Sequence, residues 1–107
     1  MNTKTNLIGA RLCGVPVEVY GKSVFRSTGG GTTCGIFSIS NKADRMDVVE
    51  ALGEKHGIGI TYSVTYYHWT FEHVFDGWCG NLYDSHEEAT RAALESLADI
   101  YLKEGEG

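Results

Sequence analysis

The stretch from Ile58 to Phe75 limits the possible folds more than any other part of the chain. It spans 18 residues and contains no Pro and no Gly other than Gly59, so no residue type in it forces a strand to stop. A single strand of that length would be unusual, because strands average about 5–6 residues. Its apolar side chains alternate in two phases, Ile60, Tyr62, Val64 and Tyr66 on one face and Tyr67, Trp69 and Phe71 on the alternate face. Since a change of phase requires a turn or a bulge, we predict a hairpin that turns near residues 66–69.

Two other segments carry the spacing of a helix and the residues that begin and end one. Between residues 43 and 56 the apolar side chains recur at helical intervals, Asn41 can cap the N-terminus, and Gly57 can end the helix in a left-handed conformation. Ser85 and Glu88 form a capping box ahead of a stretch rich in Ala and Leu. The sequence therefore predicts a helix over residues 43–56 and a last helix over about residues 85–103.

The remaining segments favour short strands separated by turns. Leu7 to Tyr20 is rich in Val, Ile and Leu, with a bend expected at residues 13–16. Gly21 and Lys22 predict a turn, residues 23–27 a strand, the glycines at 29–31 a break, and residues 35–39 another strand, with a short one at residues 82–83. Together these elements predict an α+β protein, in which one antiparallel sheet of about four to six strands packs two helices on one face.

Composition places the chain among folded globular proteins. It has 107 residues, of which 42% are apolar and 21% charged, and we expect residues 1–107 to form a single domain. No stretch approaches the roughly 18 apolar residues of a membrane span, and the first residues do not resemble a signal peptide. The three cysteines are widely spaced and odd in number, which is typical of a reducing compartment. We therefore expect a soluble, cytoplasmic protein.

Charge is distributed unevenly along the chain. Residues 1–55 hold seven Lys or Arg against five Asp or Glu, a net charge of +2. Residues 56–107 hold only Arg91 and Lys103 against nine acids, a net charge of −7. Proteins that bind nucleic acids directly need Lys and Arg to neutralise the phosphates. An acidic, aromatic second half therefore argues against direct binding of nucleic acid.

Three segments could carry chemistry, but each lacks other residues that the chemistry needs. Residues 27–35 are rich in Gly and Thr but have no Gly-Lys-Ser/Thr ending of a phosphate-binding loop. Cys34 could act as a nucleophile, although no His lies near it in sequence. His68 and His73 would point to opposite faces of one strand, and the four-ligand spacing of a structural zinc site is absent. We therefore expect no enzymatic activity, metal or cofactor; a small-molecule binder or a Cys34-dependent enzyme is an alternative.

Aromatic and acidic residues of the second half are the candidates for binding another protein. Alternation sends some of the rings into the core, and the others, together with nearby acids, can contact a basic partner. Trp and Tyr are frequent among the residues that dominate binding energy at interfaces. The residues assigned to this surface are Tyr67, Trp69, Phe71, Glu72, Asp76, Trp78, Asp84, Glu87, Glu88 and Glu95.

Residues 77–102, GWCGNLYDSHEEATRAALESLADIYL, resemble the C-terminal part of many small phage and prophage accessory proteins, including anti-CRISPR inhibitors. The similar features are a hairpin, a short strand and an Ala-rich helix that begins with Ser-x-x-Glu-Ala, in a small acidic domain. The resemblance implies a non-enzymatic inhibitor in the cytoplasm of a bacterial host cell. Such an inhibitor would bind a CRISPR effector complex and block nucleic-acid binding or nuclease recruitment.

The same segment also resembles the HicB antitoxin family. The shared register places a Gly-Cys strand five residues ahead of an acidic helix start, and it is kept here by Cys79, Asp84, Ser85, Glu87, Glu88 and Ala89. Residues 1–57 have no counterpart in that family's short domain. This resemblance implies a protein that binds and masks a small basic RNA-cleaving toxin.

Overall fold

Helix α1 (Asn2–Cys13) opens the fold. The computed structural model describes residues 2–29, 32–73, 77–78 and 81–102, with the backbone alone at residues 2, 77 and 78. The prediction of strands from Leu7 onward is therefore wrong up to Cys13. Thr5, Ile8 and Leu12 follow the spacing of one helical stripe, and all three are fully buried.

The end of α1 has the geometry of a Schellman motif. Gly14 adopts a left-handed conformation with a φ of 72°. The Val15 amide donates to the Ala10 carbonyl at 2.9 Å, and the Gly14 amide donates to the Arg11 carbonyl at 3.1 Å. A Gly followed closely by Pro is a signal for the end of a helix. Our sequence prediction assigned this signal to a bend between strands.

The first sheet is antiparallel and consists of β1 (Val17–Tyr20), β2 (Ser23–Gly29) and β3 (Thr32–Ile36), in that order. The turn predicted at Gly21 and Lys22 joins β1 to β2 and is confirmed. Pairing of β2 with β3 shifts register on both sides of Ser27. All five residues of β3 are exposed, so this strand contributes little to the core.

Helix α2 (Lys42–His56) matches the predicted helix and both of its predicted ends. The Asn41 side chain accepts a hydrogen bond from the Asp44 amide at 3.2 Å. Gly57 is left-handed with a φ of 65°, and its amide donates to the Gly53 carbonyl at 3.2 Å. These local signals suffice because a cap needs only neighbours in sequence.

The second sheet consists of β4 (Ile58–Ser63), β5 (His68–His73) and β6 (Gly77–Trp78), again antiparallel and in chain order. The predicted hairpin is confirmed, but its turn is at residues 64–67 instead of 66–69. In the observed register Ile60 is opposite Phe71, and Tyr62 is opposite Trp69. The two predicted phases therefore share one face of the sheet, because residues opposite one another in an antiparallel pair point to the same side.

The predicted last helix is divided into α3 (His86–Glu95) and α4 (Ala98–Tyr101). Ser85 caps α3 as predicted, since its hydroxyl accepts from the Glu88 amide at 3.1 Å. The helix breaks at Leu97, whose φ of −103° and ψ of 9° are not helical. Leu97 is 5% exposed, and the break allows it to join the core.

One hydrophobic core connects the described elements. Helix α1 contacts β2, α2 and α3, while α2 and α3 also contact β4 of the second sheet. A Cβ added to Gly9 of α1 would lie 3.1 Å from Cγ2 of Val48, so glycine allows α1 and α2 to cross closely. The core residues are Ile8, Ala10, Leu12, Val24, Phe37, Ile39, Val48, Ala51, Leu52, Ile58, Phe71, Ala93, Leu94 and Leu97.

The predicted α+β class with antiparallel strands is confirmed. The described residues form two three-stranded sheets, where the sequence predicted one sheet, and four helices, where it predicted two. Across the described part of the chain, every helix is too short or too polar to cross a membrane.

Candidate functional site

The tip of the β4–β5 hairpin exposes four large apolar side chains, Tyr62, Val64, Tyr66 and Tyr67, which we call the tip patch. Val64 is 75% exposed and Tyr67 is 77% exposed. Tyr62 and Tyr66 are each about half exposed. A cluster of exposed apolar side chains on a small protein is a common mark of an interaction surface.

Hydrogen bonds to Ser63 hold the tip in one shape. The Ser63 carbonyl accepts from the Tyr67 amide at 2.8 Å, and the Ser63 hydroxyl accepts from the Tyr66 amide at 3.2 Å. The Nδ1 atom of His68 lies 2.6 Å from the Tyr66 carbonyl oxygen. The turn is therefore an ordered platform for its side chains.

Tyr67 stands out because its backbone is left-handed, with a φ of 57°. It is the only residue other than glycine with a positive φ in the described part of the chain. That conformation costs a residue with a Cβ about 1 kcal/mol, whereas glycine adopts it freely. Since the Tyr67 ring is also exposed, stability of the fold does not explain a tyrosine at this position.

A cavity of about 540 Å³ lies beside the tip patch. Tyr62, Val64 and Tyr66 form part of its wall. Its other lining residues come from the outer face of β4 and β5 and from the turn, and they are Thr61, Ser63, Thr65, Thr70 and Glu72. The lining thus combines the aromatic residue Tyr66 of the turn, hydroxyl groups and one carboxylate, and the cavity volume is within the range of ligand-binding clefts.

Glu72 is exposed, and its carboxylate makes no ion pair or side-chain hydrogen bond within the described part of the chain. It is opposite Gly59 in the β4–β5 pairing. A Cβ added to Gly59 would meet no atom within 4 Å, so the space beside Glu72 on the β4 side is open. The carboxylate therefore faces a region that an incoming group can enter.

The three predicted aromatic contacts have different environments. Phe71 is only 8% exposed, and its ring stacks on Tyr83 with a centroid distance of 6.2 Å. Trp69 is half-buried, with its ring centroid 5.3 Å from that of Tyr62 and 5.0 Å from that of His86. The prediction of an exposed Phe71 is therefore wrong, Trp69 is mainly structural, and Tyr67 is exposed as predicted.

Sequence reasoning missed Tyr62, Val64 and Tyr66, which it placed together on one face of a strand. The missing information was the length of the turn. A four-residue turn at 64–67 removes Val64 and Tyr66 from the strand and places Tyr62 opposite Trp69. The run contains no Pro and no Gly after Gly59, so no local signal marks where this turn begins.

Four predicted acids, Glu72, Asp84, Glu88 and Glu95, are exposed. The Oδ1 atom of Asp84 lies 3.5 Å from Nε2 of His68. Asp76 lies outside the described residues, as does the side chain of Trp78. The exposed acids can attract a positively charged partner.

Glu87 has a structural role. Its carboxylate accepts hydrogen bonds from Nη2 of Arg91 at 2.8 Å and from the Ser40 hydroxyl at 3.0 Å. Nη1 of Arg45 lies 3.8 Å from the same carboxylate. Glu87 thereby connects α3 to the loop before α2 and to α2 itself, which makes it a poor candidate for a partner contact.

Two histidines, His56 and His86, form hydrogen bonds within the fold, and the pKa of each is lowered. The Nδ1 atom of His86 accepts from Nε of Arg45 at 3.0 Å, and burial together with the Arg45 charge lowers the pKa of His86. His56 lies 2.6 Å from the Tyr101 hydroxyl. Burial, followed by the charges of His73 and Lys55, lowers the pKa of His56.

The described thiols and histidines form no recognisable catalytic or metal centre. Burial, and next the Asp47 carboxylate, raises the pKa of Cys13, so this thiol is protonated and weakly nucleophilic at neutral pH. Cys34 is exposed on β3. His68 and His73 are at opposite ends of β5. Among the described residues, no group of three or more His, Cys, Asp or Glu side chains is positioned to hold a metal ion.

The chain matches none of the protein-family models, curated proteins or solved structures with which it was compared.

Proposed function

We propose that this protein is a non-enzymatic, phage-type inhibitor that binds a host CRISPR effector complex through the tip patch and the neighbouring acids. The resemblance of residues 77–102 to anti-CRISPR proteins supplies the class of target. The tip patch supplies the binding surface. In this role the protein blocks nucleic-acid binding or nuclease recruitment by occupying a basic surface of the effector.

The observation that carries the proposal is the exposed tyrosine in a left-handed conformation at the end of an ordered hairpin. Strain in a structure is often located where function requires it. Tyr67 combines a backbone cost with an exposed ring, and tyrosine is over-represented among binding hot spots. An ordered tip also lowers the entropy that binding must offset.

The charge around the tip determines the kind of partner. Residues 56–90 contain no Lys or Arg, and Glu72, Asp84 and Glu88 are exposed in this segment. Acidic surfaces attract basic ones and accelerate their association. A channel or groove that binds nucleic acid is the most basic surface of an effector complex, and it fits this charge.

The test is a DNA-cleavage assay with a panel of purified CRISPR effector complexes, to which the protein is added in increasing amounts. The tip variant combines Val64→Ser with Tyr67→Gly. Glycine suits the left-handed backbone, so the variant should fold normally. The control variant combines Tyr20→Thr with Ile36→Thr, which removes two large side chains, each 53% exposed, from the first sheet.

We expect one effector complex to be inhibited at a near-stoichiometric amount of protein. The control variant should inhibit like the wild type, whereas the tip variant should need at least about tenfold more protein, since a hot-spot side chain contributes about 2 kcal/mol or more. The absence of inhibition across the panel, or equal inhibition by the two variants, would contradict the proposal. Rescue of cells from a small basic RNA-cleaving toxin would instead favour the antitoxin alternative.

A further inference from the structure

We infer that the cavity beside the tip patch receives an arginine side chain of the partner protein, with Glu72 as its counter-ion. This inference rests on the proposed binding of a basic protein, and it names the group that the site recognises. The cavity has a volume of about 540 Å³, which is ample for one guanidinium group and its aliphatic stem.

The lining offers what a guanidinium group needs. Arginine has five N–H donors and no acceptor, so it requires a surface rich in acceptors. Thr61, Ser63 and Thr65 contribute hydroxyl oxygens, and Glu72 contributes a carboxylate. Thr70 also lines the cavity, where its hydroxyl donates to the Asn81 carbonyl at 2.8 Å.

The aromatic part of the wall favours a flat cation. Tyr66 of the turn lines the cavity, and a guanidinium group over a tyrosine ring is stabilised by the cation–π interaction. Arginine combines this stacking with paired hydrogen bonds to a carboxylate, whereas the lysine ammonium group is a compact point charge. The lining therefore favours arginine over lysine.

Charge complementarity excludes an anion as the occupant. All eight lining residues are neutral or acidic, and no Lys or Arg occurs between residues 56 and 90. Within the described part of the chain the Glu72 carboxylate has no ion pair. A bound cation would neutralise it, and the open space beside Gly59 gives such a cation access.

The experiment is a titration of ¹⁵N-labelled protein with three short capped peptides that differ at one position, which is arginine, lysine or citrulline in an otherwise Gly/Ser sequence. Citrulline has the shape of arginine without its charge. We expect the arginine peptide to shift the amide signals of Thr61, Ser63, Thr65 and Glu72. The lysine peptide should bind more weakly, and the citrulline peptide should produce no shifts.

Three variants test the role of Glu72 and of the open space beside it. Glu72→Gln should weaken binding of the arginine peptide about tenfold, because a hydrogen bond between two charged groups is stronger than one to a neutral amide. The matched control is Glu95→Gln, which removes one negative charge from an exposed acid of α3 outside the cavity. A third variant, Gly59→Val, keeps every charge and fills the open space, so it should also weaken binding.

Shifts confined to other residues, or equal effects of Glu72→Gln and Glu95→Gln, would overturn the inference. So would self-association of the wild type that Glu72→Gln abolishes, since the occupant would then be a second copy of this chain. The proposed function fails separately. If the arginine peptide binds as expected but no effector is inhibited, the cavity stands and the inhibitor proposal falls; if Glu72→Gln inhibits like the wild type, the reverse holds.

Discussion

The two sheets both expose aromatic rings, but within the described part of the chain they differ in whether the acid of the sheet, Glu18 or Glu72, has a side-chain partner. In the first sheet the Tyr20 and Phe25 rings meet edge to face at 5.9 Å. The Tyr20 hydroxyl donates to Glu18 at 2.6 Å, and this hydrogen bond raises the pKa of Tyr20. In the second sheet Tyr67 is exposed, and Glu72 has no ion pair within the described part of the chain.

The arginine of the first sheet also has partners within the fold. In the first sheet Arg26 forms an ion pair with the buried Asp44, and its guanidinium lies 5.2 Å from the centroid of the Phe37 ring. Asp44 also accepts from the Ser38 amide at 3.1 Å. The first sheet therefore satisfies its charges internally. Exposure of a ring is common to both sheets, and the carboxylate of Glu72, which has no ion pair within the described residues, is what distinguishes the proposed binding surface of the second sheet.

The largest effect is expected where the two sheets depend on each other. Phe37 is fully buried and follows the first sheet in the chain. Phe37→Ala should lower the free energy of unfolding by about 3–5 kcal/mol, because it removes a large side chain from the shared core. Urea unfolding monitored by circular dichroism and by tryptophan fluorescence measures this change.

Both tryptophans, Trp69 and Trp78, belong to the second sheet. Tryptophan fluorescence therefore reports on the second sheet, whereas Phe37 directly follows the first. If the fluorescence transition were unchanged while the circular dichroism transition moved, the second sheet would fold independently. The two sheets would then belong to two separate domains and not to one shared core. Phe25→Ala, at a half-buried position of β2, serves as a milder control.

Adjacent acids of α3 provide the next test. Glu87→Lys should lower the free energy of unfolding by about 1–2 kcal/mol, because it replaces attraction to Arg91 and Arg45 with repulsion. Glu88→Lys should cost about 0.5 kcal/mol, through the loss of a favourable charge at the helix N-terminus.

For partner binding the order of the two variants should be reversed: Glu88→Lys should weaken binding more than Glu87→Lys. Glu88 is exposed, so Glu88→Lys should weaken inhibition at low salt, whereas Glu87→Lys should affect it less once the folded fraction is matched. Thermal unfolding and the cleavage assay measure the two effects. If Glu87→Lys and Glu88→Lys lowered the free energy of unfolding equally, the contacts of Glu87 would contribute nothing to stability. The distinction between a structural acid and an exposed acid would then be wrong.

The smallest effect concerns pH, and it should affect the second sheet and its helices. The pKa values of His56 and His86 are lowered in the folded protein from an ordinary value of 6.5. As the pH falls below 6.5, the unfolded chain binds protons that the folded chain does not, so stability decreases. Urea midpoints at pH 7.5 and 5.5 measure this loss.

His86→Gln should reduce the slope of stability against pH, since glutamine does not titrate and its side-chain oxygen can still accept from Arg45. An unchanged slope would assign the effect to other groups. The first sheet, β1 to β3, contains no histidine, so its amide exchange rates, corrected for the intrinsic effect of pH, should respond later than those of β5.

The sequence determined the elements whose signals are local. Asn41 and Gly57 bound α2, Ser85 begins α3, and Ile58–His73, the described part of the predicted run, folds as a hairpin. These features depend on a few neighbouring residues, through caps and through the alternation of a strand. The α+β class follows from them. The acidic charge of the second half is likewise a property of composition alone.

The tertiary structure decided the rest. Residues 7–13 are helical because the stripe containing Ile8 and Leu12 packs into a core built from distant segments, a choice that apolar content does not reveal. The last helix breaks where Leu97 turns into that core. The position of the β4–β5 turn buried Phe71 and exposed the tip patch. Contacts with Arg45 and Arg91 give Glu87 a structural role that the exposed acids Glu72, Glu88 and Glu95 do not have. Each of these outcomes depends on which residues meet across the fold, and no local pattern encodes that.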